Sequence, residues 1–317
     1  MNAQAIPSAI LTDRLRQSLQ AANTQINALV LGKPREVRLA FATLLAGGHL
    51  LIDDLPGLGK TTLARAMAAT LGLEFQRMQF TSDLMPADIL GVSIFDQGAR
   101  EFRFHPGPIF TQLLLADEIN RAPPRTQSAL LEAMAEQQVT IDGLTRVLPQ
   151  PFFVIATQNP TDLAGTFPLP DSQLDRFLLR LRLGYPDAAA EREMLAGGDR
   201  RDMIAQVAPV LSKDDVLALR VATGHVHTSE ALVAYVQALL AESRRHRGVR
   251  VGLSPRAGLA LLQGARAHAL LDARTHALPE DVQALFCEVA AHRLVPEAEA
   301  ESRDALATSI LKAVAVD

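Results

Sequence analysis

Apolar residues recur three and four places apart through Ile10, Leu11, Leu15, Leu19, Ile26, Leu29 and Val30, which predicts an amphipathic helix over Ser8 to Leu31. Pro34 stands where a first helical turn tolerates it, so a second helix is expected from there to Ala46. The period then changes. His49-Leu50-Leu51-Ile52-Asp53 is a short apolar run of the kind that forms a strand buried on both faces. Similar runs occupy Phe75 to Phe80, Leu113 to Asp117, Phe152 to Thr157 and Phe177 to Leu183, and helical patterns separate most of them. That alternation predicts an α/β fold with a parallel five-stranded sheet covered on both faces. Two stretches instead alternate with period two, Leu90 to Phe104 about Gln97-Gly98 and Val139 to Leu148 about Asp142-Gly143. They read as two β-hairpins inserted into the α/β order.

Strand patterns stop after Gly184-Tyr185-Pro186. The remainder of the chain has helical periodicity over Asp187 to Ala196, Lys213 to Ala222, Glu230 to Arg245, Pro255 to Leu271 and Pro279 to Leu294, with Ser212 and Asp215 forming a capping box. The change sets an expected boundary near residue 185. An αβα core with its N-terminal helices would cover 1–185, and an all-α C-terminal lid would cover 186–317.

Between the first strand run and the helical pattern Thr61 to Ala68 lies Asp54-Leu55-Pro56-Gly57-Leu58-Gly59-Lys60-Thr61. A glycine-rich turn that opens a helix aims backbone N–H groups and the positive end of the helix dipole at an anion. Lys60 would contact the β- and γ-phosphates of a nucleotide and the Thr61 hydroxyl would ligate Mg²⁺, with Asp54, Pro56, Gly57, Leu58, Gly59 and Thr62 completing the cradle. Asp54 stands where the usual G-x-x-x-x-G-K-[ST] pattern has its first glycine. An ordinary βα turn with a solvated lysine is the competing reading. Against it, the run Leu113 to Glu118 ends in two carboxylates at the strand edge where open α/β sheets bind ligands. Asp117 would hold Mg²⁺ and Glu118 would activate an attacking water, so ATP and Mg²⁺ are the expected cofactors.

Composition narrows the partners. The chain has 317 residues, 48% of them hydrophobic, and a net charge of -4, enough for two globular domains and without general attraction for polyanions. The densest basic cluster, Arg244-Arg245-His246-Arg247, closes a helical pattern, where cations meet the negative helix end. One cysteine, Cys287, excludes an internal disulfide and fits a reducing compartment. With no apolar run of membrane-spanning length and no basic flank followed by an apolar stretch at the N-terminus, a cytoplasmic protein without membrane insertion is expected. His225-Val226-His227 lacks a third ligand nearby, and no serine or cysteine stands in a triad-like context.

Gly57-Leu58-Gly59-Lys60-Thr61, Leu115 to Pro124, Ala156-Thr157-Gln158-Asn159-Pro160, Leu174-Asp175-Arg176-Phe177 and Gly252 to Ala257 together resemble the MoxR family of AAA+ ATPases, over about Gly32 to Leu294. The resemblance implies roles. Asn159 is the sensor that orients the water or contacts the γ-phosphate, against the alternative of a turn residue before Pro160. Arg256, after the cap Ser254 and Pro255, is the second sensor, against an exposed arginine. Arg176 is the arginine finger offered to a neighbouring subunit, with Arg121 the runner-up and a salt bridge to Asp171 or Asp175 the plain alternative. Gln79 is a switch holding Glu118, and the segment with Gly32, Val30-Leu31-Gly32-Lys33, packs against adenine. The resemblance further implies a homo-oligomer, as a hexameric ring, that remodels or activates a protein client, with metal-cofactor insertion among the tasks and a von Willebrand factor A domain protein as partner. The acidic charge balance and the lack of a DNA-binding module argue against a stable nucleic-acid partner. A DNA-associated motor, a magnesium-chelatase-like subunit and a nucleotide-gated scaffold remain the competing functions.

Overall fold

The computed structural model describes residues 11–161, 165–197, 200–298 and 302–316. Helix α1 (Asp13–Leu29) starts where the Thr12 hydroxyl accepts the Leu15 N–H, and α2 (Pro34–Leu45) starts on its proline. The expected helix start at Ser8 to Ile10 lies outside the described residues. The core continues through β1 (Leu50–Asp53), α3 (Lys60–Thr70), β2 (Phe75–Gln79), α4 (Pro86–Leu90), the hairpin β3 (Gly91–Asp96) and β4 (Glu101–Pro106), and β5 (Leu113–Asp117). Then come α5 (Pro124–Glu136), the hairpin β6 (Gln138–Ile141) and β7 (Leu144–Val147), β8 (Phe153–Gln158), α6 (Asp171–Leu174) and β9 (Leu179–Leu181).

Five strands form one parallel sheet in the order β2-β5-β8-β1-β9. The pleat sends alternate residues into two apolar layers. Leu50, Ile52, Leu113, Leu115, Phe153 and Ile155 face the layer of α1, α2, α3 and the C-terminal helices, whereas Leu51, Leu114, Ala116, Val154 and Ala156 face that of α4 and α5. Burial on both faces is why these strands read as unbroken apolar runs. Both hairpins stand as expected, and Asp142 and Gly143 both take positive φ, as a tight two-residue hairpin turn requires.

The C-terminal part holds α7 (Ala188–Ala196), α8 (Arg200–Ala205), α9 (Lys213–His225), α10 (Glu230–Arg245), β10 (Val249–Val251), α11 (Pro255–Leu271), α12 (Pro279–Ala290), β11 (Val295–Pro296) and α13 (Arg303–Ala313). This helical region departs from the all-α expectation, since β10 and β11 form a small antiparallel ribbon. Three and two residues, one of them a proline, are too few to show alternation. Helices α8 and α13 add to the expected set; the first is six residues long and the second lies beyond the last expected pattern.

Two buried polar side chains join the layers. His49, at the foot of β1, accepts the Val154 N–H on Nδ1 at 3.0 Å, so its Nε2 carries the proton donated to the Met134 carbonyl at 3.2 Å. Complete burial lowers its pKa to about 4, keeping the ring neutral. Arg293, just past α12, donates Nε to the Asp175 carboxylate at 2.6 Å and its terminal nitrogens to the carbonyls of Asp175, Phe177, Leu178 and Val289. It pins the end of the helical region to the segment entering β9.

Candidate functional site

The loop between β1 and α3 crosses the C-terminal edge of the sheet. Gly57 and Gly59 have φ of +85° and +92°, a left-handed region that favours glycine, and a Cβ on either would meet nothing within 4 Å. The concave side of the loop is therefore open. Gly59 caps α3 without any side-chain hydrogen bond, so the first N–H groups of the helix have no side-chain acceptor at the cap. Lys60 is buried at the first helical position and donates to the Asp54 carbonyl at 2.5 Å. Burial pulls its ammonium below the usual lysine value, opposed by the negative charge of Asp117 first and then of Asp54 and Glu118.

Asp54, the residue in place of the first glycine, spans the loop to the far strand. Its carboxylate accepts the Leu55 N–H at 2.9 Å and the Gly184 N–H, past the end of β9, at 2.6 Å. A glycine has no group for this. The sequence signal was only a departure from the pattern, with no indication of the partner.

Asp117 ends β5, buried, and Glu118 comes next with φ of +57°, turning its side chain out of the strand. Thr157 of β8 ties the two together, its hydroxyl donating to Asp117 Oδ1 at 2.7 Å and accepting the Glu118 N–H at 2.9 Å. Glu118 Oε2 accepts from Gln79 Nε2 at 2.8 Å and lies 2.8 Å from Arg121 Nε. Arg77 of β2 sits on the other oxygen of Asp117. Thr157 was legible only as the end of a strand run, and neither its tie to the acidic pair nor that of Arg77 carried a signal in the sequence.

Two clefts adjoin the loop. One, of about 370 Å³, is lined by Lys60, Thr61, Arg77, Gln79, Asp117 and Glu118, with Pro56, Gly57, Gly59 and Thr62 on its loop side. The other, of about 390 Å³, shares that loop wall, adds Leu58, and runs between Val30, Leu31 and Lys33 on one side and Tyr185, Pro186 and Leu195 on the other. Gly32 itself turns away from it, its α-carbon against α7, where a Cβ would come 2.7 Å from that of Ala190. Lys33 donates to the Tyr185 carbonyl at 2.7 Å and closes the rim.

The remaining candidates stand outside both linings. Asn159 is buried just past β8, its side-chain oxygen accepting from the Thr161 N–H and hydroxyl. Arg176 donates to the Leu131 carbonyl at 3.0 Å, while Asp171 pairs with Arg303 and Asp175 with Arg293. Arg256, at the start of α11 and 63% exposed, lies 3.7 Å from Asp175.

A polar, open loop at a helix start beside a buried ammonium fits a polyphosphate. Thr61 and a single buried carboxylate fit magnesium, which is usually held by one or two protein groups together with phosphate and water oxygens. Among the described residues no helix is long and apolar enough to cross a membrane.

Comparison with known proteins agrees with this geometry. Residues 49–179 match the model of the ATPase family associated with various cellular activities (AAA), and residues 241–312 match that of the AAA lid domain. The uncharacterized protein YeaC of Bacillus subtilis (strain 168) is 44% identical over 95% of this chain and 96% of its own. Chaperone MoxR1 of Mycobacterium tuberculosis is 39% identical over 88% of this chain and 76% of its own. A solved structure from Cytophaga hutchinsonii, described as that of a candidate ATPase, superposes with a TM-score of 0.88 at 35% identity, covering 96% of both chains.

Proposed function

The chain belongs to the MoxR family of AAA+ ATPases and hydrolyses ATP, and we propose that it couples hydrolysis, in a ring of identical subunits, to remodelling or activating a protein client. The observation that carries this reading is the convergence of Lys60, Asp117 and Glu118 on one cleft beside the uncapped start of α3.

In this reading the N–H groups of Gly57 to Thr62 and the Lys60 ammonium take the phosphate charge, and the Thr61 hydroxyl and Asp117 hold magnesium. The bound metal would neutralise charge developing on the β- and γ-phosphates. Glu118 draws the proton from the attacking water once Gln79 and Arg121 release it. Asn159 orients that water. The cleft between Val30, Leu31 and Tyr185 takes the adenine. Arg256 of the lid, with the boundary near residue 185, meets phosphate from above.

A ring follows from the finger role given to Arg176, since a head-to-tail contact in which each subunit completes the next one's site closes on itself. Six subunits is the expected number. Support for a protein client is the apolar surface of the two hairpins, where Phe102 is 73% and Val147 70% exposed. A von Willebrand factor A domain partner, metal-cofactor insertion as one task, and a cytoplasmic site of action complete the proposal.

The test is affinity capture with the Glu118→Gln form in ATP, which holds nucleotide without turnover. A protein retained with ATP and released with ADP supports the reading. Capture indifferent to nucleotide, or a chain that sediments as a monomer in ATP, sinks it.

A further inference from the structure

Asp117 is fully engaged by its own chain. Oδ1 accepts the Thr157 hydroxyl at 2.7 Å, and Oδ2 accepts Arg77 Nη2 at 2.7 Å and Nε at 3.2 Å. Arg77 stands on β2, the edge strand, two residues before Gln79, so both side chains project from the same face of the strand. The parallel register puts Gln79 opposite Asp117. One polar pair on β2 therefore occupies both acids, Arg77 on Asp117 and Gln79 on Glu118. Both line the phosphate-side cleft with Lys60 and Thr61.

A guanidinium does not lose its proton, so it makes way for a second cation only by moving. Arg77 has room to do so, its side chain being 45% exposed. A divalent cation on Asp117 would be the largest local charge and would repel the arginine beside it. The triphosphate offers that arginine an alternative, since a planar fork of donors matches phosphate as well as carboxylate.

We propose that Arg77 is a displaceable counter-ion of Asp117, which keeps the carboxylate from taking up a divalent cation alone and transfers to a phosphate oxygen when magnesium arrives with the triphosphate. Arg77 thereby makes the metal and the nucleotide bind together. The inference rests on the nucleotide site proposed above and adds to it a positioning residue that acts through Asp117.

The test reads Mn²⁺ binding to the nucleotide-free full chain by the electron-spin-resonance signal of free Mn²⁺. Arg77→Gln should bind Mn²⁺ about tenfold more tightly than the unmodified protein, the scale of a close charge pair, and adding Asp117→Asn should abolish the gain. In Mg²⁺, displacement of a fluorescent adenine nucleotide should show Arg77→Gln losing roughly tenfold in affinity for ATP and under about twofold for ADP, with Arg77→Lys between the two. Equal Mn²⁺ affinity with and without Arg77, or an unchanged preference for ATP over ADP, overturns the proposal. Thermal unfolding of each variant verifies the fold, and Arg77→Lys gives an independent reading. A folded unmodified chain that binds no nucleotide would instead remove the site itself, a result distinct from either of these.

Discussion

Gln79 donates to Glu118 across the β2–β5 pair at 2.8 Å, onto the same carboxylate oxygen that Arg121 approaches at 2.8 Å. An oxygen that already accepts one hydrogen bond and faces a guanidinium at that distance is not free to take hold of a water molecule. Gln79→Ala is therefore expected to raise basal ATP hydrolysis a few-fold, as the loss of one hydrogen bond of about 1 kcal/mol allows. Glu118→Gln should lower it by roughly 10² to 10⁴ while leaving ATP affinity within a few-fold. Phosphate release and nucleotide titration on the two variants check both; full turnover in Glu118→Gln would show that another group is the base.

Lys60 is buried against the loop carbonyl, so its removal takes away the one cation the loop itself supplies. Lys60→Ala should reduce kcat/KM for ATP by on the order of 10² or more with the unfolding midpoint little changed. Hydrolysis at the normal rate would mean that phosphate binds elsewhere.

Arg176 rests on the Leu131 carbonyl, with Asp171 and Asp175 taken by other arginines. As a finger acting in trans it would be worth about 10³ to 10⁵ in rate. Arg176→Ala and Glu118→Gln subunits, each inactive alone, should recover part of the activity when mixed, because one interface type then has both groups intact. Intact rings with no recovery would transfer the role to Arg121 or to another residue.

The neutral His49 sets a pH dependence. Its folded pKa of about 4 lies below the 6.5 of an unfolded histidine, so between those values the unfolded chain binds the proton and the folded chain does not. The contribution of His49 to stability is fully present above pH 6.5 and is lost as pH drops towards 4, by up to about 1.4 kcal/mol per pH unit. His292, also buried and pushed down by burial and by Arg293, acts in the same direction. Urea midpoints from pH 7.5 to 4.5 should fall, and His49→Gln should flatten the slope; an unchanged slope would assign the dependence to other groups.

The strands, hairpins and phosphate loop were legible because each is written in contiguous residues, Leu113 to Glu118 being both the strand and its acids. The contacts that set the chemistry were not. Arg77 meets Asp117 only through the register of two strands 40 residues apart, and Asp54 reaches Gly184 only because β9 closes the sheet beside β1. Near Arg176 the nearest acids in sequence suggested an ion pair, yet Arg293 and Arg303, more than a hundred residues on, claim them. The ribbon of β10 and β11 escaped for a local reason, since five residues carry no readable period.

The buried fork of Arg293 has a mechanical consequence. Moving the C-terminal helices off the sheet at that corner would strand a desolvated guanidinium and the carboxylate and three carbonyls it holds on the β9 side, a heavy cost. That corner should act as a fixed pivot, with any opening and closing of the nucleotide cleft accommodated elsewhere along the junction. Because Arg176 sits between the anchored Asp175 and Phe177, a torque applied through the C-terminal helices would reach it directly, which would matter if it serves as the proposed finger.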